Sequence, residues 1–274
     1  FFQAEDGIRD ASVAVWRDTD SGVVFIDDFY VGEDEYRNGN FRENYSGLRY
    51  TLDDTNRRLE SVARIAAGQK LLDFGCGDGE FLSAASNVAA EVYGVELNSR
   101  AREAAALRGL KVVESASDIA STGPFDVITL FHVLEHLPDP VNQLQELRRL
   151  LTRGSGFMVV EVPHARDFLI DQLPSAAFLN FTLWSQHLVL HTRDSLRRFM
   201  IAAGFADVVI QGVQRYGPVN HQIWLRDGVP GGHKTPLGIQ IDRSPLLGAY
   251  ESALQSIDAT DTLVAIAKCP AEED

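Results

Sequence analysis

The sequence predicts an α/β chain built on a doubly wound, seven-stranded sheet, and three stretches carry that expectation. In Lys70 to Leu82 an apolar pair, Leu71 and Leu72, closes on Asp73, glycines follow at 75, 77 and 79, and apolar residues resume at Phe81, Leu82 and Ala85. That is a buried strand, a tight turn and a helix opening directly out of the turn. In Glu91 to Glu96 a second short strand ends in an acid, and Leu97-Asn98 begin a helix that Gly109 stops. Gly156 to Pro163 is a nearly continuous apolar run, as expected of a strand covered on both faces of a sheet.

The remaining elements follow in order. Phe1 to Asp10 lack a starting Met and any periodicity; they read as a translated adapter scar and are left out of the fold prediction. Residues 23–50 interleave Phe25, Phe29, Tyr30, Tyr36, Phe41, Tyr45 and Tyr50 with polar residues and glycine. This stretch reads either as a surface segment packing its rings on the domain or as a flap over a cleft. A helix spans about Asp53 to Ala67, with Leu59, Val62, Ile65 and Ala66 on one face and Gly68 as its stop. Leu110 to Glu114 is a third strand and Phe125 to Phe131 a fourth. Asp139 then caps a helix with Pro140 at its first position and a stripe of Val141, Leu144, Leu147 and Leu151. After the fifth strand, His164 to Leu190 has no clean period. Thr192 caps a helix carrying Leu196, Phe199 and Met200, Phe205 to Ile210 is the sixth strand and Thr262 to Lys268 the seventh.

About fifty residues separate the last two strands, far more than a hairpin needs. Tyr216 to Gly238 is rich in glycine and proline, and Leu246 to Ile257 has the pattern of a helix. The insertion reads equally as a cover over an acceptor site or as a homodimer contact. The domain reading is an N-terminal segment and cap over 1–50, and one domain over 51–274 with its insertion at about 213–260.

Composition narrows the function. The chain has 274 residues, 45% of them hydrophobic, enough for one sizeable core. Asp and Glu number 39 against 25 Lys and Arg, a formal charge of −14 that repels phosphate backbones and argues against nucleic acid as a partner. Two cysteines make neither a disulfide framework nor a zinc site. No apolar run is long enough to span a membrane, so a cytoplasmic protein is expected.

The glycine turn suits a nucleotide-like cofactor. A dinucleotide fingerprint places its third glycine three residues after the second, where this chain has Glu80, and no Gly-Lys-Ser/Thr closes a phosphate loop. The acid followed by Gly-x-Gly-x-Gly resembles the cofactor loop of class I S-adenosylmethionine-dependent methyltransferases. Phe125 to Leu137 with Pro138-Asp139-Pro140 is similar to the fourth-strand segment of the same families. The resemblance covers roughly residues 50 to 270. It implies a Rossmann-like sheet, mostly parallel with an antiparallel last strand. It also implies S-adenosyl-L-methionine as cofactor and a small-molecule methyl acceptor, such as a sugar or natural-product intermediate. On that resemblance Asp73, Gly75, Cys76, Gly77 and Gly79 hold the methionine end and Glu96 the ribose. Leu97 and Asp118 lie on the adenine, and Phe131 and His132 near the sulfonium. The rival readings are a non-catalytic cofactor-binding module and an NAD-dependent oxidoreductase.

All seven histidines lie after the fourth strand begins. Ligands of a doubly wound sheet sit beyond the carboxyl ends of its strands, so His132, His136 and His164 are expected to face that crevice. If the acceptor is a hydroxyl, His136 is the first choice of base, with Glu135 orienting its ring, and His187 the second. The His-x-x-x-His spacing at 132/136 and 187/191 also suits a metal, but neither pair has a third ligand at a recognisable spacing, and no metal is assigned.

Overall fold

The computed structural model describes residues 15–26, 36–37, 48–183 and 187–271. Phe29, Tyr30, Phe41 and Tyr45 of the aromatic segment, and residues 1–10, lie outside them.

A helix and a strand alternate from residue 48 onward. Helix α1 (Leu48–Ala66) leads into strand β3 (Lys70–Phe74), α2 (Glu80–Ala85), β4 (Glu91–Val95), α3 (Ser99–Leu107) and β5 (Lys111–Val113). Strand β6 (Val127–Phe131) follows the short α4 (Ala116–Ile119), and α5 (Pro140–Arg149) leads to β7 (Phe157–Pro163). The order across the sheet is β5-β4-β3-β6-β7-β10-β9, where β9 is Ala206–Val213 and β10 is Thr262–Lys268. The pairs from β5 through β7 are parallel, whereas β10 runs antiparallel to both β7 and β9. Seven strands, doubly wound, with an antiparallel last strand: the expected fold is the observed one.

The caps explain where the helices begin. Asn98 accepts from the Ala101 amide, Asp139 from Asn142 and Thr192 from Ser195 at the start of α7 (Arg193–Ala202), each satisfying an amide the helix cannot. Two apolar layers sandwich the sheet. On one face Val62 and Ala66 of α1 meet Leu71, Phe81, Leu82, Val127 and Val159. On the other Leu144 and Leu147 of α5 meet Leu72, Ile128, Leu130, Met158, Leu196 and Met200. Fully burying a Leu or Val side chain is worth about 1.5–3 kcal/mol, so these two layers hold the sheet.

Three parts of the chain differ from expectation. Residues 15–26 form two short strands, β1 (Val15–Arg17) and β2 (Val24–Ile26), and β2 pairs with β8 (Val189–Leu190) in a separate three-stranded sheet. The start of the presumed flap is therefore a strand. Within His164 to Leu190 lie a π-turn at Phe168–Gln172 and α6 (Ala176–Thr182), packed with Ala165 and Leu190 on the same side cluster. Finally, the glycine- and proline-rich insertion is mostly helical. Helices α8 (Pro218–Asp227), α9 (Pro236–Asp242) and α10 (Pro245–Ser256) all start on a proline, which is pre-set for a first helical turn.

Candidate active site

The first half of the crevice lies past β3 and β4. Gly75, Gly77 and Gly79 all have positive φ (80°, 56° and 81°), which L side chains rarely adopt. The amides of Gly75 and Cys76 both bond to the Val95 carbonyl, so the turn is tied to the end of β4. Glycine serves packing here as much as ligand access. A Cβ at Gly75 would lie 2.4 Å from Val133, and one at Gly79 would lie 2.3 Å from Leu110. Cys76 is buried, and Gly94 makes room for its sulfur, which a Cβ there would approach to 2.5 Å.

Glu96 sits at the tip of β4 and bridges this turn to α3. Its Oε2 accepts from the Gly77 amide at 2.7 Å, and its Oε1 from the Asn98 amide at 2.8 Å. Each oxygen keeps a further lone pair. Leu97 beside it is half-buried, and its carbonyl accepts from Arg102. Asp73 is buried and accepts from the Thr129 hydroxyl of β6 at 2.7 Å. Asp118 is exposed, and its Oδ2 accepts from the Ser115 amide and hydroxyl in a capping box at the start of α4. That role needs no ligand.

The second half lies past β6 and β7 and is built from charge. Glu161, in register with Phe131, is buried in the middle of an apolar strand. Arg57 and Arg58 of α1 both donate to it, at 2.9 and 2.7 Å. Asp54, one turn earlier on α1, accepts from Arg57 at 2.6 Å and from Arg215 at 3.1 Å. Burial opposes ionisation of Asp54, but Arg215 and Arg58 outweigh it and hold its carboxyl down to about 2. Glu161 is likewise held well below its usual range against burial, by Arg58, His132 and Arg57.

His132 closes the network. Its φ is +56°, a left-handed conformation uncommon outside glycine, and its amide is held on the Glu161 carbonyl at 2.9 Å. One ring nitrogen meets Glu135 at 3.0 Å, and the other meets Arg215 at 2.7 Å and Glu161 at 3.3 Å. Burial and Arg215 oppose its protonation, yet Glu135 and Glu161 raise its pKa overall. Phe131 packs edge-on against Phe81 at 4.7 Å, with the Arg58 guanidinium 4.8 Å over its ring.

Glu135 and His136 lie in the single turn after β6, and His187 comes from the chain just before β8. The Leu188 amide bonds to the Glu135 carbonyl at 2.8 Å, which pins the two segments together. One potential ligand atom from each of Glu135, His136 and His187 lies within 4.8 Å of the others. The His136 and His187 rings are 5.0 Å apart, and Tyr36 stands edge-on to His136 at 5.9 Å. Asn98 donates to the Tyr36 carbonyl at 3.1 Å, and Arg37 pairs with Glu114, so residues 36–37 touch both halves of the crevice.

The expected base arrangement changes in detail. Glu135 bonds to His132 and stands 4.0 Å from His136, so it orients His132 rather than the first-choice base. Burial, followed by the charge of His136, pushes His187 down to about 3, too weak a base for neutral pH. Burial opposes ionisation of Glu135, but the His132 hydrogen bond and the three histidines' charge hold it at about 2. His164 does not face the crevice; it is buried, with Nδ1 donating to the Thr260 carbonyl at 2.9 Å. His191 packs on Ser195 and Phe199, and His221 on Phe168 and Tyr250. Sequence reasoning missed Asp54, Arg57, Arg58, Glu161 and Arg215. The visible signal was an acid interrupting the apolar run of the fifth strand.

Comparison with known proteins bears on the family and the fold. A family model described as a methyltransferase domain matches residues 42–210. The ubiquinone biosynthesis O-methyltransferase of Albidiferax ferrireducens is 32% identical over 188 residues, 62% of this chain and 73% of that protein. The protein of the same name from Thiobacillus denitrificans is 39% identical over 97 residues, 32% of this chain, and that match spans less than half of the relative (42%). Among solved structures, a Haemonchus contortus phospholethanolamine N-methyltransferase superposes with a TM-score of 0.59 at 16% identity, over 94% of this chain and 71% of that one. A methyltransferase from Archaeoglobus fulgidus gives 0.54 at 20% identity, over 83% and 97%. At such identities these two show the shared fold alone. With its family model spanning more than half of its length, its strand order and its glycine turn, the chain belongs to the class I S-adenosylmethionine-dependent methyltransferases.

Proposed function

We propose that this chain transfers a methyl group from S-adenosylmethionine to a hydroxyl oxygen of a small molecule bound beyond β6 and β7. The observation that carries the reading is the meeting of Glu135, His136 and His187 at the mouth of β6, across Phe131 and His132 from the glycine turn. The chemistry of the donor set fits the cofactor: a carboxylate with spare lone pairs at the tip of β4 suits a ribose diol, beside a turn that presents backbone amides. Glu96 would hold the ribose, the turn from Asp73 to Gly79 the methionine end, Leu97 the adenine face, and Phe131 with His132 the sulfonium side. The bound cofactor supplies a methyl group made electrophilic by its sulfonium.

The chain's own task is then to position the acceptor oxygen and ease loss of its proton. His132, fixed by Glu135, Glu161 and Arg215, gives the crevice a rigid floor, and the Glu135–His136–His187 group is where the hydroxyl proton is handled. The relatives named as ubiquinone biosynthesis O-methyltransferases support oxygen as the acceptor atom. In an assay with methyl-labelled cofactor and a panel of phenols, sugars and amines, label should enter hydroxylated acceptors as a methyl ether. Label entering amines alone, or calorimetry showing NAD bound in preference to S-adenosylmethionine, would overturn the reading.

A further inference from the structure

We propose that Glu135, His136 and His187 form a binding site for a divalent transition-metal cation, with open positions for the oxygen of the methyl acceptor. The inference rests on the reading of this crevice as the acceptor site.

Four observations lead to it. Three potential ligand atoms, one from each residue, converge within 4.8 Å of one another, although the third residue is more than fifty positions away in sequence. The convergence is built, not incidental, because the Leu188 amide to Glu135 carbonyl bond fixes one ligand segment on the other at 2.8 Å. Glu135 is fully buried, its Oε1 engaged by His132 at 3.0 Å, while its Oε2 has no hydrogen-bond partner. A buried carboxylate oxygen without a partner is costly, and a cation supplies the missing interaction. The fourth observation concerns tautomers. His187 Nδ1 lies 2.8 Å from the Thr182 carbonyl, which only accepts, so Nδ1 carries the proton and Nε2 presents a lone pair. That is the orientation an outer carbonyl imposes on a metal-bound imidazole. His132 holds the ligating carboxylate in the same manner.

The donor set selects the ion. Two imidazoles and one carboxylate favour zinc, manganese, iron or cobalt over magnesium and calcium, which prefer all-oxygen surroundings. Three protein ligands leave positions open, as in catalytic rather than structural sites. An acceptor hydroxyl in such a position gives up its proton to water more readily, while its electron pair stays on the oxygen that the methyl group will meet. Neither His-x-x-x-His pair acts as a unit: the site takes one histidine from each, with the glutamate next to the first.

The full chain, stripped with chelator, is titrated with cobalt(II) while its visible spectrum is recorded. One equivalent should produce intense d–d bands that zinc abolishes and magnesium leaves unchanged. His187→Ala and Glu135→Gln should weaken cobalt binding by more than about 100-fold, beyond the 10–100-fold typical of outer-shell losses. His233→Asn, at a histidine bonded to Asn220 in the insertion, should leave it intact. Calorimetry with S-adenosylhomocysteine on each variant checks that it is folded. A folded wild type that binds no cobalt overturns the proposal, as does equal binding by His187→Ala. Cobalt binding without methyl transfer to any hydroxyl would sink the acceptor reading and leave the metal site standing. Methyl transfer undiminished in chelator would overturn the cation's role toward the acceptor.

Discussion

The two halves of the crevice are made in different ways. On the β3–β4 side, functional groups come from contiguous sequence: Gly75 to Gly79, then Glu96 and Asn98, joined largely by backbone hydrogen bonds. On the β6–β7 side, α1, β7, the turn after β6, residue 187 and Arg215 each contribute one or two side chains, joined by charge. The first half is a local motif whose geometry follows from glycine and strand register. The second exists only once the sheet has formed, because Phe131 and Glu161 become neighbours through pairing thirty residues apart. Outside its three glycines a loop joined by backbone bonds tolerates side-chain change, whereas a buried network depends on every member.

The largest effect should therefore come from the second half. Glu161→Ala leaves Arg57, Arg58 and His132 around a buried gap, with Asp54 the acid still paired to both arginines and Glu135 the one still bonded to His132. Removing one partner of a buried ion pair typically costs about 3–5 kcal/mol, and denaturant unfolding should read a loss of that size. A loss below about 1 kcal/mol would mean that water, not Glu161, compensates the arginines. The contrasting change, Gly77→Ala, should cost less stability and act chiefly on cofactor affinity.

That asymmetry also governs what could be read from the sequence. The seven strands, the caps at Asn98, Asp139 and Thr192 and the glycine turn were legible because each is announced by residues within one turn or strand, whereas the antiparallel β10 followed from the family resemblance. β1, β2 and β8 were not, since strands of two or three residues leave no period to detect. Glu161 was visible as an acid in an apolar run, but its partners Arg57 and Arg58 resemble any solvent-facing helix pair until α1 is laid over β7. His164 read as a crevice residue by position; only packing reveals that its backbone bridges that of His191 beneath the surface.

Those buried histidines give the second-largest effect, and it is pH-dependent. Burial pushes His164 and His191 each down to about 4, from an ordinary value of 6.5. The folded state thus binds fewer protons than the unfolded chain between about pH 6.5 and 4, so stability falls as pH drops through that window and levels off below it. A shift of that size corresponds to on the order of 3 kcal/mol for one fully buried histidine. Unfolding measured at pH 7 and pH 5 should show the loss, and His191→Phe should reduce it. A pH difference left unchanged by His191→Phe would show that this ring charges in place.

A smaller effect belongs to the first half. Glu96→Ala removes an acceptor that the Gly77 and Asn98 amides already share, and should cost about 1–3 kcal/mol of cofactor binding by calorimetry. Fold stability should change less, because the turn stays tied to β4 by the Gly75 and Cys76 amides on the Val95 carbonyl. Unchanged affinity would remove Glu96 from the ribose site. Tyr36→Phe is a useful companion: it removes a hydroxyl 3.5 Å from His136 Nδ1 and keeps the carbonyl that takes Asn98, so it should spare the cofactor and alter acceptor kinetics.

The smallest expected effect separates two roles for one residue. The family resemblance assigned Asp118 to the adenine, yet its carboxylate already accepts from the Ser115 amide and hydroxyl. An N3 acid that reaches back to its cap completes the box, and the loss of such a cap costs about 0.5–2 kcal/mol. Because α4 has a single turn and lies at the surface, the low end of that range applies to Asp118→Ala. Ser115→Ala should do the same, and the two together no more than their sum, since both break one motif. Cofactor affinity is the deciding measurement. If Asp118 serves only the cap, affinity stays within about twofold while the melting temperature falls slightly; a tenfold loss of affinity, worth 1.4 kcal/mol, at unchanged stability would return it to the adenine edge.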